Sequence, residues 1–323
     1  MALIAEKLSI SFWLLLAIYG AIPLLFGVAI IDVLFFSSRL QALLPSTPDT
    51  FILYGILFNV PHIVASYFSL ADREYLAFYK RKLLFVLPLV LGLFVLLGIF
   101  YPPLAYVLFI AYTLYHVVFQ QAGLTLLFGA RFSKWFDVWR WLPVVFVTLG
   151  HLSIYHPALI PRFTSLPLST LPLVLLALVG GFALLSGYLF LQIKQLRGRL
   201  YFGATALSFA GSYVLYAWGY PLLSIFLIRF VHDITAFIIY AVHDHNRAVT
   251  AGTNALYNLF SPTRIPVVML TPLLALVIGY FITASPWHQT NLIFIMLFGA
   301  THYYIESFIW KRDTIHRTQL AFT

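Results

Sequence analysis

The chain has 323 residues, 62% of them hydrophobic and 9% charged, with a mean hydropathy of +0.95. Soluble domains carry about 25% charged residues, so this composition excludes an ordinary soluble fold and points to an integral membrane protein. The formal charge is +9 and cysteine is absent, which removes disulfides, thiolate ligands, cysteine nucleophiles and cysteine-ligated zinc or iron–sulfur sites.

A membrane crossing needs roughly 20 apolar residues. The hydropathy pattern predicts ten: 10–35, 50–71, 83–101, 103–129, 138–156, 171–193, 200–219, 221–244, 265–285 and 290–310. The first apolar run, Phe12 to Phe36, follows Lys7 without a small-residue cleavage pattern and reads as a crossing rather than a leader. The expected fold is therefore all-α and polytopic, a single transmembrane domain over 1–323, with no soluble domain, repeat or low-complexity linker.

The basic residues orient it. Lys7 precedes the first crossing, and Arg73, Lys80, Arg81 and Lys82 lie between the second and third. Arg131, Lys134 and Arg140 surround the fourth connection, Lys194, Arg197 and Arg199 the sixth, and Arg247 and Arg264 the eighth; Lys311, Arg312 and Arg317 follow the tenth crossing. These alternate positions hold 16 of the 19 Lys and Arg residues, leaving Arg39, Arg162 and Arg229. The positive-inside rule then puts both termini in the cytoplasm. The charge reads as orientation signal and anionic-lipid contact, not a nucleic-acid footprint. The expected location is a bacterial inner membrane.

Ionisable groups inside hydrocarbon cost several kcal/mol unless paired, so each one marks a functional hypothesis. The second crossing carries His62 in "NVPHIVASY"; the fourth carries His116, Gln120 and Gln121 in "YHVVFQQAG". The eighth carries Arg229, His232 and Asp233, with His243, Asp244 and His245 at its end; the tenth carries His302 and Glu306. Measured from the cytoplasmic flank at 1.5 Å per residue, His62, His116, His232 and His302 lie about 13–23 Å deep. Four helices thus bring imidazoles to one layer, in a site that opens toward the cytoplasm.

The spacing suits metal ligation. His116–Gln120 and His302–Glu306 are i,i+4 pairs, each on one helix face, and paired His/Glu faces are how carboxylate-bridged di-iron bundles are built. His232 and His243 share a face but lie about 16 Å apart, too far to bind one ion. The expected ligands are His62, His116, Gln120, His232, His302 and Glu306, with His243 either a ligand or part of a charged mouth. Asp233 is a ligand, a catalytic carboxylate or the acceptor that orients an imidazole. Tyr304, with Tyr115, Tyr240 and Tyr303, is a candidate to line a substrate cavity, and Tyr304 is the candidate catalytic tyrosine. Arg229 is read as a counter-ion to Asp233 or a snorkelling residue. For any one histidine the competing reading is a helix–helix hydrogen bond. His151, His156, His288 and His316 are read as structural.

Imidazoles with carboxylate and no sulfur suit Fe(II), Mn(II) or Zn(II). No HExxH, GxSxG, Walker A, GxGxxG or paired DxxD motif occurs. What remains is iron, one or two ions, with O2 as co-substrate, acting on a lipid-like molecule that enters from the bilayer.

Single histidines spread over several helices, with polar faces such as "HDITAFIIYAVHDH" and "HYYIESFIWK", resemble the Brp/Blh-type carotene dioxygenases, membrane iron oxygenases of similar length. The histidine boxes of the fatty-acid desaturases and hydroxylases are missing. The resemblance implies an oxidoreductase of carotenoid or other lipid metabolism whose histidine ligands correspond to His62, His116, His232 and His302. Glu306 and Gln120 fall outside that family's pattern. Two other functions fit the same polar residues: a b-type haem electron-transfer protein, or a proton-coupled transporter. An oxygenase or desaturase would also call for an electron donor in some reaction types.

Overall fold

The computed structural model describes residues 6–45, 57, 59–164, 167–285 and 292–323. His288 and the start of the crossing expected at 50–71 lie outside the described residues. The long helices are α1 (Phe12–Ile18), α2 (Ala21–Phe35), α3 (Val60–Phe68), α4 (Arg73–Arg81), α5 (Leu87–Phe100) and α6 (Pro102–Leu127). They continue as α7 (Lys134–Tyr155), α8 (Leu171–Gln192), α9 (Leu196–Ala217), α10 (Pro221–Thr250), α11 (Val267–Ala284) and α12 (Leu292–Ile309). The fold is all-α. The strands among the described residues are β1 (Ser9–Ile10) and β2 (Ala321–Phe322), which pair in parallel, Ser9 opposite Ala321 and Ile10 opposite Phe322.

Among the described residues, six helical stretches are long and apolar enough to cross a membrane: Phe12–Phe35, Arg73–Phe100, Pro102–Leu127, Leu168–Gln192, Pro221–Thr250 and Val267–Ala284. This is a membrane protein. Helices α3, α7, α9 and α12 stand where the other crossings are expected. Exposed apolar side chains explain the composition: Leu89 on α5 is 74% exposed and Leu184 on α8 is 80% exposed. Such surfaces are stable against lipid and costly against water. The third crossing begins earlier than expected, because a π-helical turn at Lys82–Val86 carries α4 into α5. The eighth runs on to Thr250 rather than ending at 244.

The chain divides into two compact units: Met1–Leu15, Ile52–Ala105 and Asp233–Thr323 form the first, Leu16–Phe51 and Tyr106–His232 the second. The second unit is built on α6 to α9 around an aromatic core. Trp139 stacks on Phe202 with ring centroids 4.6 Å apart and on Phe182 at 5.5 Å. The first unit packs α3, α11 and α12 around Tyr75, Tyr79, Tyr240 and Tyr257. Here Gly279 on α11 abuts Pro61 on α3: a β-carbon at Gly279 would lie 3.0 Å from the proline ring and 3.2 Å from its nitrogen. Only glycine lets the two helices approach this closely, and Pro61 is the residue directly before His62.

A candidate metal centre and the clamp at the end of α10

In the first unit, α3 and α12 each present an i,i+4 pair to the other. From α3 come His62 and Ser66; from α12 come His302 and Glu306, and all four are buried. The His62 and His302 rings meet edge to face with centroids 5.0 Å apart. His302 Nε2 lies 3.9 Å from a Glu306 carboxylate oxygen. One turn earlier the Tyr67 hydroxyl donates to the Phe298 carbonyl at 2.7 Å, which fastens α3 to α12.

Ser66 sets the tautomer. Its hydroxyl donates to the Ile63 carbonyl at 2.6 Å, so its oxygen accepts from His302 Nδ1–H at 2.9 Å. In a neutral imidazole this makes Nε2 the lone-pair atom, and Nε2 is the one that faces Glu306. A lone pair and a carboxylate facing one another repel unless a cation or proton lies between them. Two bonds of about 2.0–2.2 Å to one ion span such a separation. His62 has a carboxylate beside it: its Nδ1 lies 3.4 Å from an oxygen of Asp233 on α10. His62 and His302 each offer a ligand atom within 4.8 Å of the other's, as do His302 and Glu306. The donor set of two imidazoles and a carboxylate, with Ser66 behind one imidazole and Asp233 beside the other, fits a divalent transition metal.

In the second unit, His116 on α6 and His232 on α10 are both buried, their rings edge to face at 4.9 Å. Gln120 is half-buried. The buried glutamine is its neighbour Gln121, which accepts from the Tyr19 hydroxyl at 2.9 Å, and that hydroxyl also contacts Thr205 at 2.7 Å. Arg229 is half-buried. His151 donates from Nδ1 to the Val147 carbonyl at 2.9 Å, and His156 packs against Tyr106 at 4.3 Å. Tyr115 packs among Phe119 and Trp141.

The sequence misplaces two residues. Tyr304 sends its hydroxyl to the Lys82 carbonyl at 3.5 Å, whereas Tyr303 is buried against His302, with ring centroids 5.3 Å apart. His243 lies in a network of its own: Nδ1 is 2.8 Å from Asp244 and Nε2 is 3.0 Å from the Tyr75 hydroxyl. Both nitrogens are engaged, so it is not a candidate ligand.

The run HDHNR is a clamp rather than a solvated mouth. Asp244 accepts from the Tyr257 hydroxyl, and Asn246 bonds the backbone of Leu8 and the Gln319 carbonyl, tying both chain ends to α10. His245 Nε2 donates to the Glu6 carbonyl at 3.1 Å. Arg247 reaches Asp72 through Nε at 2.8 Å and Nη2 at 3.1 Å, and also bonds Glu74. Asp72 in turn caps α4 by accepting from the Glu74 and Tyr75 amides. Burial opposes ionisation of Asp72, but the Arg247 and Thr253 hydrogen bonds outweigh it and hold the carboxyl below its ordinary value. Burial and the Asp244 charge push the Tyr257 phenol well above its own. His316, read from the sequence as a tail residue, is fully buried: it stacks on Tyr75 at 3.9 Å and on His243 at 4.7 Å, and bonds the Tyr79 hydroxyl at 3.1 Å. No family model, curated protein or solved structure matches this chain.

Proposed function

We propose that this protein is a membrane non-haem iron oxygenase or desaturase acting on a lipid or isoprenoid substrate, a carotenoid-like polyene among them. The observation that carries the reading is the His302 tautomer. Ser66 takes the Nδ1 proton, and Nε2 is left facing a buried carboxylate across 3.9 Å, with a second imidazole, His62, edge-on to the same ring. His62, His302 and Glu306 hold one ion, with Asp233 orienting His62; His116 and His232 are the donors assigned to a second. Iron bound there supplies O2 activation. The protein supplies fixed donors, a dry surrounding and a substrate route through apolar helices.

Ten crossings with both termini in the cytoplasm accompany this reading. The pairing of β1 with β2 supports it, since ends that lie side by side require an even number of crossings. The basic connections give the side. A b-type haem at His62 and His302 is disfavoured because rings in edge contact at 5.0 Å leave no slot for a porphyrin between them.

The test is metal analysis of detergent-purified protein with a visible spectrum. One to two irons per chain are expected, with no Soret band, and His302→Ala and Glu306→Gln are expected to lose metal while remaining folded. Fully folded wild-type protein that binds no iron, manganese or zinc overturns the proposal.

A further inference from the structure

The second unit carries a cleft at one end, where α7 and α9 finish and α8 and α10 begin. Ile154, Pro172, Tyr213 and Tyr216 line a space there of about 560 Å³. A recess of about 20 Å³ shares Ile154, Tyr213 and Tyr216 with that space and is walled further by Phe146, Leu175 and His151. The larger volume suits a small molecule, and the recess holds one water-sized group.

His151 is 8% exposed, and only half of its ring is accounted for. Its Nδ1 lies 2.9 Å from the Val147 carbonyl of its own helix, and a carbonyl only accepts, so Nδ1 carries the proton. The neutral ring then keeps its lone pair on Nε2. Among the described residues Nε2 has no hydrogen-bond partner, although the ring lines a recess. A buried acceptor is costly in that state, and a donor placed in the recess removes the cost.

The hydroxyls nearby are committed elsewhere. Ser212 gives its proton to the Ser224 carbonyl at 3.0 Å, and the Ser224 hydroxyl lies 3.0 Å from the Ser212 oxygen. Ser153 gives its proton to the Gly150 carbonyl at 2.6 Å, so its oxygen accepts from the Tyr216 hydroxyl at 2.8 Å. Tyr213 is different: it lines both spaces, and among the described residues its hydroxyl has no hydrogen-bond partner. The recess therefore offers one lone-pair acceptor and one phenol that both gives and takes a proton.

We propose that this cleft binds a long-chain lipid alcohol, its hydroxyl donating to His151 Nε2 and its chain lying in the larger space. A hydroxyl also accepts, so the same oxygen can take the Tyr213 proton. The recess is too small for a phosphate, and an imidazole lone pair gives nothing to an ether or a carbonyl, which only accept. The depth agrees. His151 stands four residues, about 6 Å, from the end of α7, close to the level at which a lipid's polar head meets its chain. The site lies within the second unit and does not depend on the metal-site reading.

The experiment uses the full chain, immobilised in detergent, with tritiated geranylgeraniol and tritiated octadecanol read by scintillation proximity. The methyl ether of each, which keeps the chain and deletes the O–H, is the competitor. One alcohol is expected to bind saturably at one per chain, about tenfold tighter than its ether. Which alcohol does so assigns the chain as isoprenoid or straight. His151→Phe is expected to abolish the preference for alcohol over ether, and Tyr213→Phe to reduce it by a smaller factor. Gly150 also lines the recess, and a β-carbon added there meets nothing within 4 Å, so Gly150→Leu fills the space without touching the imidazole. It is expected to block the alcohol even if His151→Phe does not fold. Equal affinity for alcohol and ether, no saturable binding of either alcohol, or full binding by folded Gly150→Leu overturns the proposal.

Discussion

Ser66 and His302 are partners across two helices: the serine oxygen, its own proton committed to the Ile63 carbonyl, accepts from His302 Nδ1 at 2.9 Å. This single contact decides which imidazole nitrogen faces Glu306. Ser66→Ala leaves a buried N–H without its acceptor, at a cost of about 1–3 kcal/mol, and frees the ring to rotate. Metal affinity measured by equilibrium dialysis should fall about tenfold to hundredfold, with helical content unchanged. Unchanged affinity would remove the serine from the site.

Gly279 packs against Pro61, and the proline ring and nitrogen have no room to retreat. Gly279→Val is expected to push α3 from α11, destabilising the protein by about 1–3 kcal/mol, as overpacked cores do. Because His62 follows Pro61 directly, the same variant should bind metal more weakly. A thermal melt and a metal titration on one sample check both outcomes.

Arg247 is buried with Asp72 and reaches Glu74 as well. Arg247→Ala strands the Asp72 carboxylate inside the fold and should cost about 3–5 kcal/mol. Arg247→Lys should rescue little, since an ammonium cannot make the two-pronged contact. Adding Asp72→Ala to Arg247→Ala should cost less than the two single losses together, read from denaturation midpoints as a double-mutant cycle.

Acid should loosen the tail. Burial, then His243 and the Arg247 charge, hold the His316 imidazole well below its ordinary 6.5. With the folded value depressed, its contribution is complete above the unfolded value. It is lost as pH falls from 6.5 toward the folded value, at up to about 1.4 kcal/mol per pH unit. Asp72, also depressed, adds a loss of the same sign at lower pH, below the ordinary carboxylate value. The thermal midpoint should drop between pH 7.5 and 5, and His316→Asn should flatten that part of the profile. An equal slope in the variant would assign the effect elsewhere.

Much of the candidate site's geometry was legible from spacing. His302 and Glu306, four residues apart on an apolar helix, announced one polar face, and the equal depth of His62 drew the two helices together. Ser66 carried the same i,i+4 signal from His62, but a serine in a membrane helix usually returns its proton to its own backbone, and only the partner helix reveals that its oxygen also serves an imidazole. His243 and His316 went the other way. One read as a ligand or mouth and the other as a tail residue, because sequence spacing says nothing of what folds back on a helix end.

The sequence by itself determined that the chain lies in a membrane, that it is helical, and which helices carry ionisable groups at depth. Those properties follow from transfer free energies and from a fixed rise per residue, which act locally along the chain. Tertiary structure decided which nitrogen of His302 faces the carboxylate, that Tyr303 rather than Tyr304 lies buried against that ring, and that HDHNR fastens both chain ends instead of lining an opening. Those depend on contacts that the chain makes only by folding back, Ser66 with His302 and Leu8 with Asn246 among them, where a hydrogen bond's direction is set by the partner, and no local pattern records the partner.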